Sequence, residues 1–194
     1  ATGTLDWLLQ LTGVDIAELA PAVDAYLAAG RLDAAPTFLP SLTGLRTPEG
    51  RPGATGRIAG LRPSTDRAAL GYALFEGVAF QIAHCVEAQR AAGVRAEALA
   101  LVGGGARSAA WATLIATAVG EELVVPEGAA LAAPAGAARL ARVAAAGGDD
   151  LAPLARAKTA AARIAPDRAL AERIAPRRAA FERLVATEIA DLAD

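Results

Sequence analysis

The chain has 194 residues, which is enough for one domain with a substantial hydrophobic core, or for a large domain with a tail. Its formal net charge of −2 leaves no basic surface that would indicate a nucleic-acid partner. The single cysteine, Cys85, excludes an internal disulfide and a cysteine-based zinc site, and no uninterrupted apolar run approaches the ~20 residues of a membrane span.

Two helices are predicted in the first thirty residues. Thr4 is a candidate N-cap for a helix over residues 5–11, which ends at Gly13. Apolar residues at helical spacing predict a second helix, Asp15–Ala29, which ends at Gly30. A glycine closes each helix because it adopts the left-handed conformation at low cost.

The middle of the chain predicts short strands followed by the longest helix. Residues 36–52 mix Pro, Gly, Ser and Thr with apolar residues, which is typical of short extended segments and turns. Arg57–Leu61 predicts another short strand. Ser64 or Thr65 is a candidate cap for a helix that runs to about Ala92, with one apolar face.

A strand, a glycine turn and a helix are then predicted in immediate succession. The apolar run 98–102 stops at three glycines, residues 103–105, and the helix-compatible run Ala106–Val119 begins at once. Glu122–Val125 predicts a second buried strand, and Ala130–Ala146 an alanine-rich helix. This order favours an α/β fold with at least two parallel strands.

The pattern loosens after residue 150, where three prolines divide the chain. A final helix is predicted over Arg177–Leu192, with apolar residues along one side. The pair Asp149–Asp150 follows a helix and is interpreted as a solvated turn rather than a metal site.

The three glycines at 103–105 are the strongest candidate for a ligand site. Without Cβ atoms they let a ligand lie against the backbone, and the helix behind them directs unpaired N–H groups to the same place. A tight crossover without a ligand is the alternative interpretation. No Gly-Lys-Ser/Thr follows, and Ser108 stands where a dinucleotide fingerprint has its third glycine. The turn therefore favours a mononucleotide ligand over NAD.

Other polar residues have structural interpretations beside their functional ones. His84, the single histidine, lies in the long helix and is interpreted as a packing or surface residue rather than a triad member. Glu76-Gly77 in the same helix predicts a close contact between helix and sheet. Arg46 belongs either to a hairpin loop or to a surface that meets an acidic partner or a phosphate.

Six segments follow one another along the chain in a characteristic order. They are Phe38–Pro48, Gly56–Leu61, Leu74–Phe80, Gly103–Ser108, Pro134–Ala141 and Ala175–Leu184. These segments resemble the C-terminal half of the FGGY carbohydrate kinases, most closely the xylulokinases. Several motifs at consistent spacing are far more specific than any one of them.

The resemblance implies an α/β fold, namely an actin-like, ribonuclease-H-like ATPase domain with a mixed β-sheet and helices on both faces. Residues 1–194 are expected to form the C-terminal nucleotide-binding domain, with 151–194 as its helical tail. In the family, an N-terminal domain holds most of the sugar site, a phosphate loop and the aspartate base. Because the chain starts at Ala1 and has no methionine, we expect a fragment that lacks this domain.

The resemblance also implies the nucleotide site. It places Gly104 and Gly105 against adenine and ribose and Ala109 one helical turn on, with Thr2 and Asp6 near the nucleotide. The residues on either side of this glycine pair, Gly103 and Ala106, complete the set of expected cofactor-binding residues.

The implied reaction transfers the γ-phosphoryl group of ATP, with Mg²⁺, to a hydroxyl of D-xylulose, giving ADP and D-xylulose 5-phosphate. Because the base belongs to the missing domain, this chain is expected to be inactive alone, with no catalytic residue and no metal ligand of its own. The pentulose would bind through the missing domain. A cytoplasmic protein is implied, without membrane or nucleic-acid partners, and a second copy of the chain is a candidate partner.

The sequence departs from the family pattern in three places. Leu45 stands where xylulokinases usually have Glu, Ala112-Thr113 replaces an Arg-Gln pair, and Ala135 replaces a leucine. The first departure weakens the assignment of the sugar.

Three alternatives stay open. One is a kinase of another polyol or sugar, such as ribulose, glycerol or gluconate. Another is a non-catalytic actin-like assembly module, in which helices 130–146 and 177–192 pack on a second copy. The third is a dinucleotide-binding oxidoreductase domain, for which Glu127 is the acidic residue that follows the next strand.

Overall fold

Six helices and five strands lie along the residues that the computed structural model describes, which are 2–147, 151 and 159–192. The helices are α1 (Thr2–Thr12), α2 (Ile16–Ala28), α3 (Arg67–Ala91), α4 (Ala109–Val119), α5 (Ala132–Ala145) and α6 (Arg168–Asp191). The strands are β1 (Thr37–Leu39), β2 (Arg57–Ala59), β3 (Leu99–Ala100), β4 (Leu123–Pro126) and β5 (Ala160–Ile164). Short 3-10 turns lie at Leu32–Ala34, Gly104–Arg107 and Ala129–Leu131.

The strands form two small sheets. β1 pairs antiparallel with β2, and a second sheet has the order β3-β4-β5. β4 runs parallel to β3 and antiparallel to β5, so this sheet is mixed. The parallel pair β3–β4 confirms the prediction of parallel strands joined through a helix.

α3 is the central element of the core and contacts α1, α2, α4, α6 and β1. By length and hydropathy it could cross a membrane, but 67% of its most apolar window is buried inside this protein, as in a core helix. A Cβ added to Gly77 would overlap the carbonyl oxygen of Phe38 in β1. The predicted close contact at Glu76-Gly77 is therefore confirmed.

An aspartate, rather than one of the hydroxyl residues predicted, caps the long helix. The Asp66 carboxylate accepts a hydrogen bond at 2.8 Å from the backbone N–H of Ala69, so the expectation of a cap at Ser64 or Thr65 was wrong. Thr4 is not an N-cap either. It lies buried inside α1, where its hydroxyl donates at 3.1 Å to the backbone carbonyl of Pro40, just after β1.

The C-terminal part of the chain differs most from the prediction. β5 was not predicted, and α6 begins at Arg168 rather than Arg177 and continues through Pro176. Asp167 caps this earlier start by accepting a hydrogen bond at 3.0 Å from the N–H of Leu170. The predicted turn at Asp149-Asp150 lies outside the described residues.

A buried ion pair fixes α6 to α3. The Arg177 guanidinium donates two hydrogen bonds of 2.7 Å to the two oxygens of Glu76, and it donates at 3.0 Å to the backbone carbonyls of Ala35 and Pro36. The Tyr72 hydroxyl donates to Glu76 at 2.7 Å. Burial and then the Glu76 carboxylate raise the pKa of Tyr72, so this hydroxyl keeps its proton.

A second polar cluster attaches the end of α6 to β2. Glu188, only 2% exposed, accepts a hydrogen bond at 2.5 Å from the Thr55 N–H and pairs with Arg57. The Thr55 N–H, with smaller help from the Arg57 guanidinium, holds the pKa of Glu188 below its ordinary value despite burial.

This lowered pKa predicts a pH-dependent stability. The Glu188 contribution is complete above the unfolded-state pKa of about 4.3 and is lost as pH falls through the lower pKa of the folded state. Urea unfolding of Glu188→Gln should therefore depend less on pH than that of the wild type between about pH 5 and pH 3. Parallel pH profiles for the two proteins would contradict this assignment.

Candidate functional site

The glycine turn, defined here as Gly103–Ser108, connects β3 to α4. Gly103 has φ +94° and its N–H donates to the carbonyl of Ala129 at 2.8 Å. Residues 104–107 then form a 3-10 turn, and the Ser108 hydroxyl caps α4 by accepting from the Trp111 N–H at 3.1 Å. α4 thus begins at Ala109, and the prediction of a helix from Ala106 was wrong because a separate turn comes first.

The glycines at 104 and 105 face different surroundings. A Cβ added to Gly104 would have no heavy atom within 4 Å, and this residue is exposed. A Cβ added to Gly105 would overlap Cζ3 of Trp111 and lie 2.9 Å from its Cε3. Gly104 therefore presents open backbone, whereas Gly105 is small because an indole ring lies against it.

Apolar side chains flank the glycine turn. Val102, immediately before it, is 49% exposed, and Leu131, in the 3-10 turn that packs against it, is 62% exposed. The one charge between these flanks in the segment 103–109 is that of Arg107. A surface of open backbone and aliphatic side chains suits the flat face of a base better than it suits a charged group.

The first turn of α4 is less suited to phosphate than the sequence suggested. The Ser108 hydroxyl donates at 3.2 Å to the carboxylate of Asp24, which reaches it from α2. The cap satisfies the Trp111 N–H, and the Asp24 carboxylate places a negative charge beside the helix start that was expected to face the ligand. Sequence reasoning missed Asp24, because a contact across 84 residues leaves no local signal.

The remaining candidate residues lie on other elements. α1, which contains Thr2 and Asp6, contacts α3, whereas the glycine turn contacts α4 and the 3-10 turn at 129–131. Asp6 is exposed. The approach of Thr2 and Asp6 to a nucleotide therefore stays a prediction.

His84 has a structural role. Its ring lies edge-on to Phe181, and its nitrogens are 3.7 Å and 3.6 Å from carboxylate oxygens of Glu49 and Glu182. Its side chain is only 17% exposed, which fits the predicted packing role. Among residues 2–147, 151 and 159–192, no group of three His, Cys, Asp or Glu side chains is placed to hold a metal ion.

The loop around Arg46 is a hairpin, as one of its two interpretations required. Leu45 and Arg51 form an isolated antiparallel bridge, and Leu45 is 3% exposed. Arg46 itself is exposed. The leucine that departs from the family pattern thus serves the core.

A model of the C-terminal domain of the FGGY family of carbohydrate kinases matches residues 1–145. Xylulose kinase of Escherichia coli (strain K12) is 36% identical over 146 residues, which are 75% of this chain and 30% of that protein. The chain therefore spans less than a third of this relative's length.

Solved structures confirm the expected fold. A xyloylose kinase from Brucella ovis superposes with a TM-score of 0.79 at 33% identity, covering 98% of this chain and 38% of that one. Xylulose kinase from Rhodospirillum rubrum gives 0.72 at 27% identity, covering 100% and 39%. These likenesses establish the α/β, actin-like ATPase fold.

Proposed function

Because this chain belongs to the FGGY family of carbohydrate kinases, we propose that it is the ATP-binding C-terminal half of a xylulokinase-like sugar kinase. The intact protein would transfer the γ-phosphoryl group of ATP to D-xylulose, giving ADP and D-xylulose 5-phosphate. The observation that carries the nucleotide site is the open backbone at Gly104 between two exposed aliphatic side chains.

In this proposal the glycine turn binds the adenosine part of the nucleotide. Gly103 and Gly104 contribute backbone that no side chain covers, and Val102 and Leu131 contact the base. Ala106 and Ala109 leave room for the nucleotide beside the turn, because the alanine side chain is only one methyl group. Thr2 and Asp6 would approach the nucleotide from α1.

Catalysis would need groups from the rest of the intact protein. Phosphoryl transfer requires a carboxylate that accepts the proton of the sugar hydroxyl. Asp66 is occupied as a helix cap, and Glu76 is buried in an ion pair. Asp6, the third candidate carboxylate, lacks the family's motif for a base. We therefore assign no catalytic residue here and propose that this chain is inactive alone.

The described residues do not fit a magnesium site of their own. They bring no three carboxylate or histidine ligands together, and Mg²⁺ typically binds through substrate phosphates with one or two carboxylates. The metal would enter with the nucleotide and complete its coordination outside this part of the chain.

The tail belongs to the same domain in this proposal. Although the family model ends at residue 145, α6 contributes Arg177, Phe181 and Val185 to the buried core. We infer that residues 1–194 form one C-terminal domain of a cytoplasmic metabolic kinase, and that the pentulose binds mainly to the other half.

A titration tests the nucleotide site directly. Isothermal calorimetry of this chain should detect ADP and ATP binding at millimolar ligand, without phosphorylation of D-xylulose. Gly104→Leu should weaken binding at least about tenfold, since an added side chain enters the proposed base position, a loss equal to about 1.4 kcal/mol. The thermal midpoint should hardly change, because the space at this position is open.

Gly53→Leu is the matched control, because Gly53 is an exposed loop glycine whose added Cβ would meet only Leu192, at 3.5 Å. It should bind ADP as the wild type does. Equal affinity in the Gly104→Leu variant and the wild type would overturn the proposed site.

An actin-like assembly module is the second candidate function, and α5 favours it. None of the α5 residues is buried, and Leu140 on this helix is 51% exposed. Sedimentation velocity separates the two candidates. A tight oligomer whose sedimentation does not change on addition of nucleotide would favour the assembly module. A homodimer that still binds nucleotide would agree with the kinase.

A further inference from the structure

Trp111 joins the glycine turn to the core. The six-membered ring of the indole lies against Gly105. A Cβ added to Gly105 would be 2.9 Å from Cε3 and 3.2 Å from Cη2 of this ring. It also stacks on the ring of Phe75, with centroids 4.7 Å apart and planes 25° apart. Its Nε1–H donates to the backbone carbonyl of Phe75 at 3.1 Å.

These contacts hold the indole in one position. Phe75 is 3% exposed and belongs to α3, the central helix of the core, so its packing holds it in place. Stacking fixes the plane of the indole and the hydrogen bond fixes its direction within that plane. The edge next to Gly105 is therefore held by the core of the domain.

The turn depends on this support because it has few bonds of its own. Gly103 is attached to Ala129 through its N–H, and the 3-10 bonds that follow are short-range. Glycine backbone is freer than that of any other residue, so an unsupported turn would have to be ordered when a ligand binds.

We propose that Trp111 is the positioning residue of the nucleotide site: it holds the glycine turn from the core side and so keeps Gly104 open to the ligand. Trp111 itself does not contact the nucleotide. This inference rests on the proposed function of the turn. Through its contacts with Phe75, Trp111 also connects the nucleotide site to α3.

The first test needs no nucleotide. Gly105→Ala should lower the thermal midpoint by at least about 4 °C, because the new methyl group overlaps the indole. In a Trp111→Leu background the same substitution should cost much less, since the ring is gone, so the two changes should be non-additive. Gly104→Ala is the matched control and should be additive with Trp111→Leu, because its Cβ meets open space.

The second test uses the nucleotide. The chain has two tryptophans, so Trp7→Phe leaves Trp111 as the single indole reporter. ADP should leave the emission maximum of Trp111 in this variant almost unchanged, because the indole is already held in place before the ligand binds. Trp111→Leu should raise the Kd for ADP at least about tenfold, a change of 1.4 kcal/mol, and Trp111→Phe should restore part of it because the stack on Phe75 persists.

The outcomes separate the two proposals. Wild-type affinity in Trp111→Leu, or a large shift of the Trp111 emission maximum on binding, would overturn the positioning role while the nucleotide site stands. If neither the wild type nor any variant binds ADP at millimolar concentration, the proposed function fails and the positioning role fails with it.

Discussion

Replacing Arg177 with methionine is expected to lower the free energy of unfolding by about 3–5 kcal/mol, the usual cost of breaking a buried ion pair by removing one partner. The Glu76 carboxylate, 1% exposed, would lose both 2.7 Å hydrogen bonds and would keep that of Tyr72 alone. The carbonyls of Ala35 and Pro36 would lose their donors as well. The result should appear in urea unfolding followed by circular dichroism.

A neighbouring arginine provides the control. Arg178 on the same helix pairs with Glu87 and Glu182, but these side chains are 25%, 49% and 49% exposed. Arg178→Met should therefore cost only about 0.2–1 kcal/mol. The double variant Glu76→Leu/Arg177→Met should recover most of the loss, since no unpaired charge stays buried. A loss below about 1 kcal/mol in Arg177→Met would contradict the buried-charge account and the place of the tail in the domain.

Gly77→Ala is expected to destabilise the fold by about 2 kcal/mol, although alanine is the better helix former. The added methyl group would overlap the carbonyl oxygen of Phe38 and lie 3.1 Å from Cδ of Pro40. The nearest of these atoms is backbone in β1, so a whole strand must move, and overpacking of about 1–3 kcal/mol exceeds the gain of ~1 kcal/mol in helix propensity.

The same substitution in α5 should have the opposite sign. Gly136 lies inside that helix with no heavy atom within 4 Å of an added Cβ. Gly136→Ala should therefore stabilise the protein by about 0.5–1 kcal/mol. Losses of similar size at both positions, measured by urea unfolding, would show that the contact with β1 does not decide the effect.

Local patterns in the sequence predicted most helices and the parallel strands, because periodicity and glycine stops are local signals. α2 differs from its prediction by one residue at each end. β5 was missed because it is mostly alanine and exposed, and it is held by backbone pairing with β4. α6 was started too late because Pro176 suggested a break, which the buried contacts of Arg177 and Phe181 overcome.

The candidate site was predictable in position but not in detail. Three consecutive glycines after a strand located the turn, yet no local pattern tells which glycine faces a ligand. The distinction between Gly104 and Gly105 depends on where the ring of Trp111 lies, and the charge beside α4 depends on Asp24. Both come from tertiary packing.

Amide resonances of the isotope-labelled chain test the central claim most directly. On titration with ADP, the largest shifts should occur at residues 103–105 and at the contacting turn Ala129–Leu131, with little change in α6. Saturation should occur in the millimolar range. Absence of shifts at millimolar ADP, or a centre of shifts away from the glycine turn, would contradict the account.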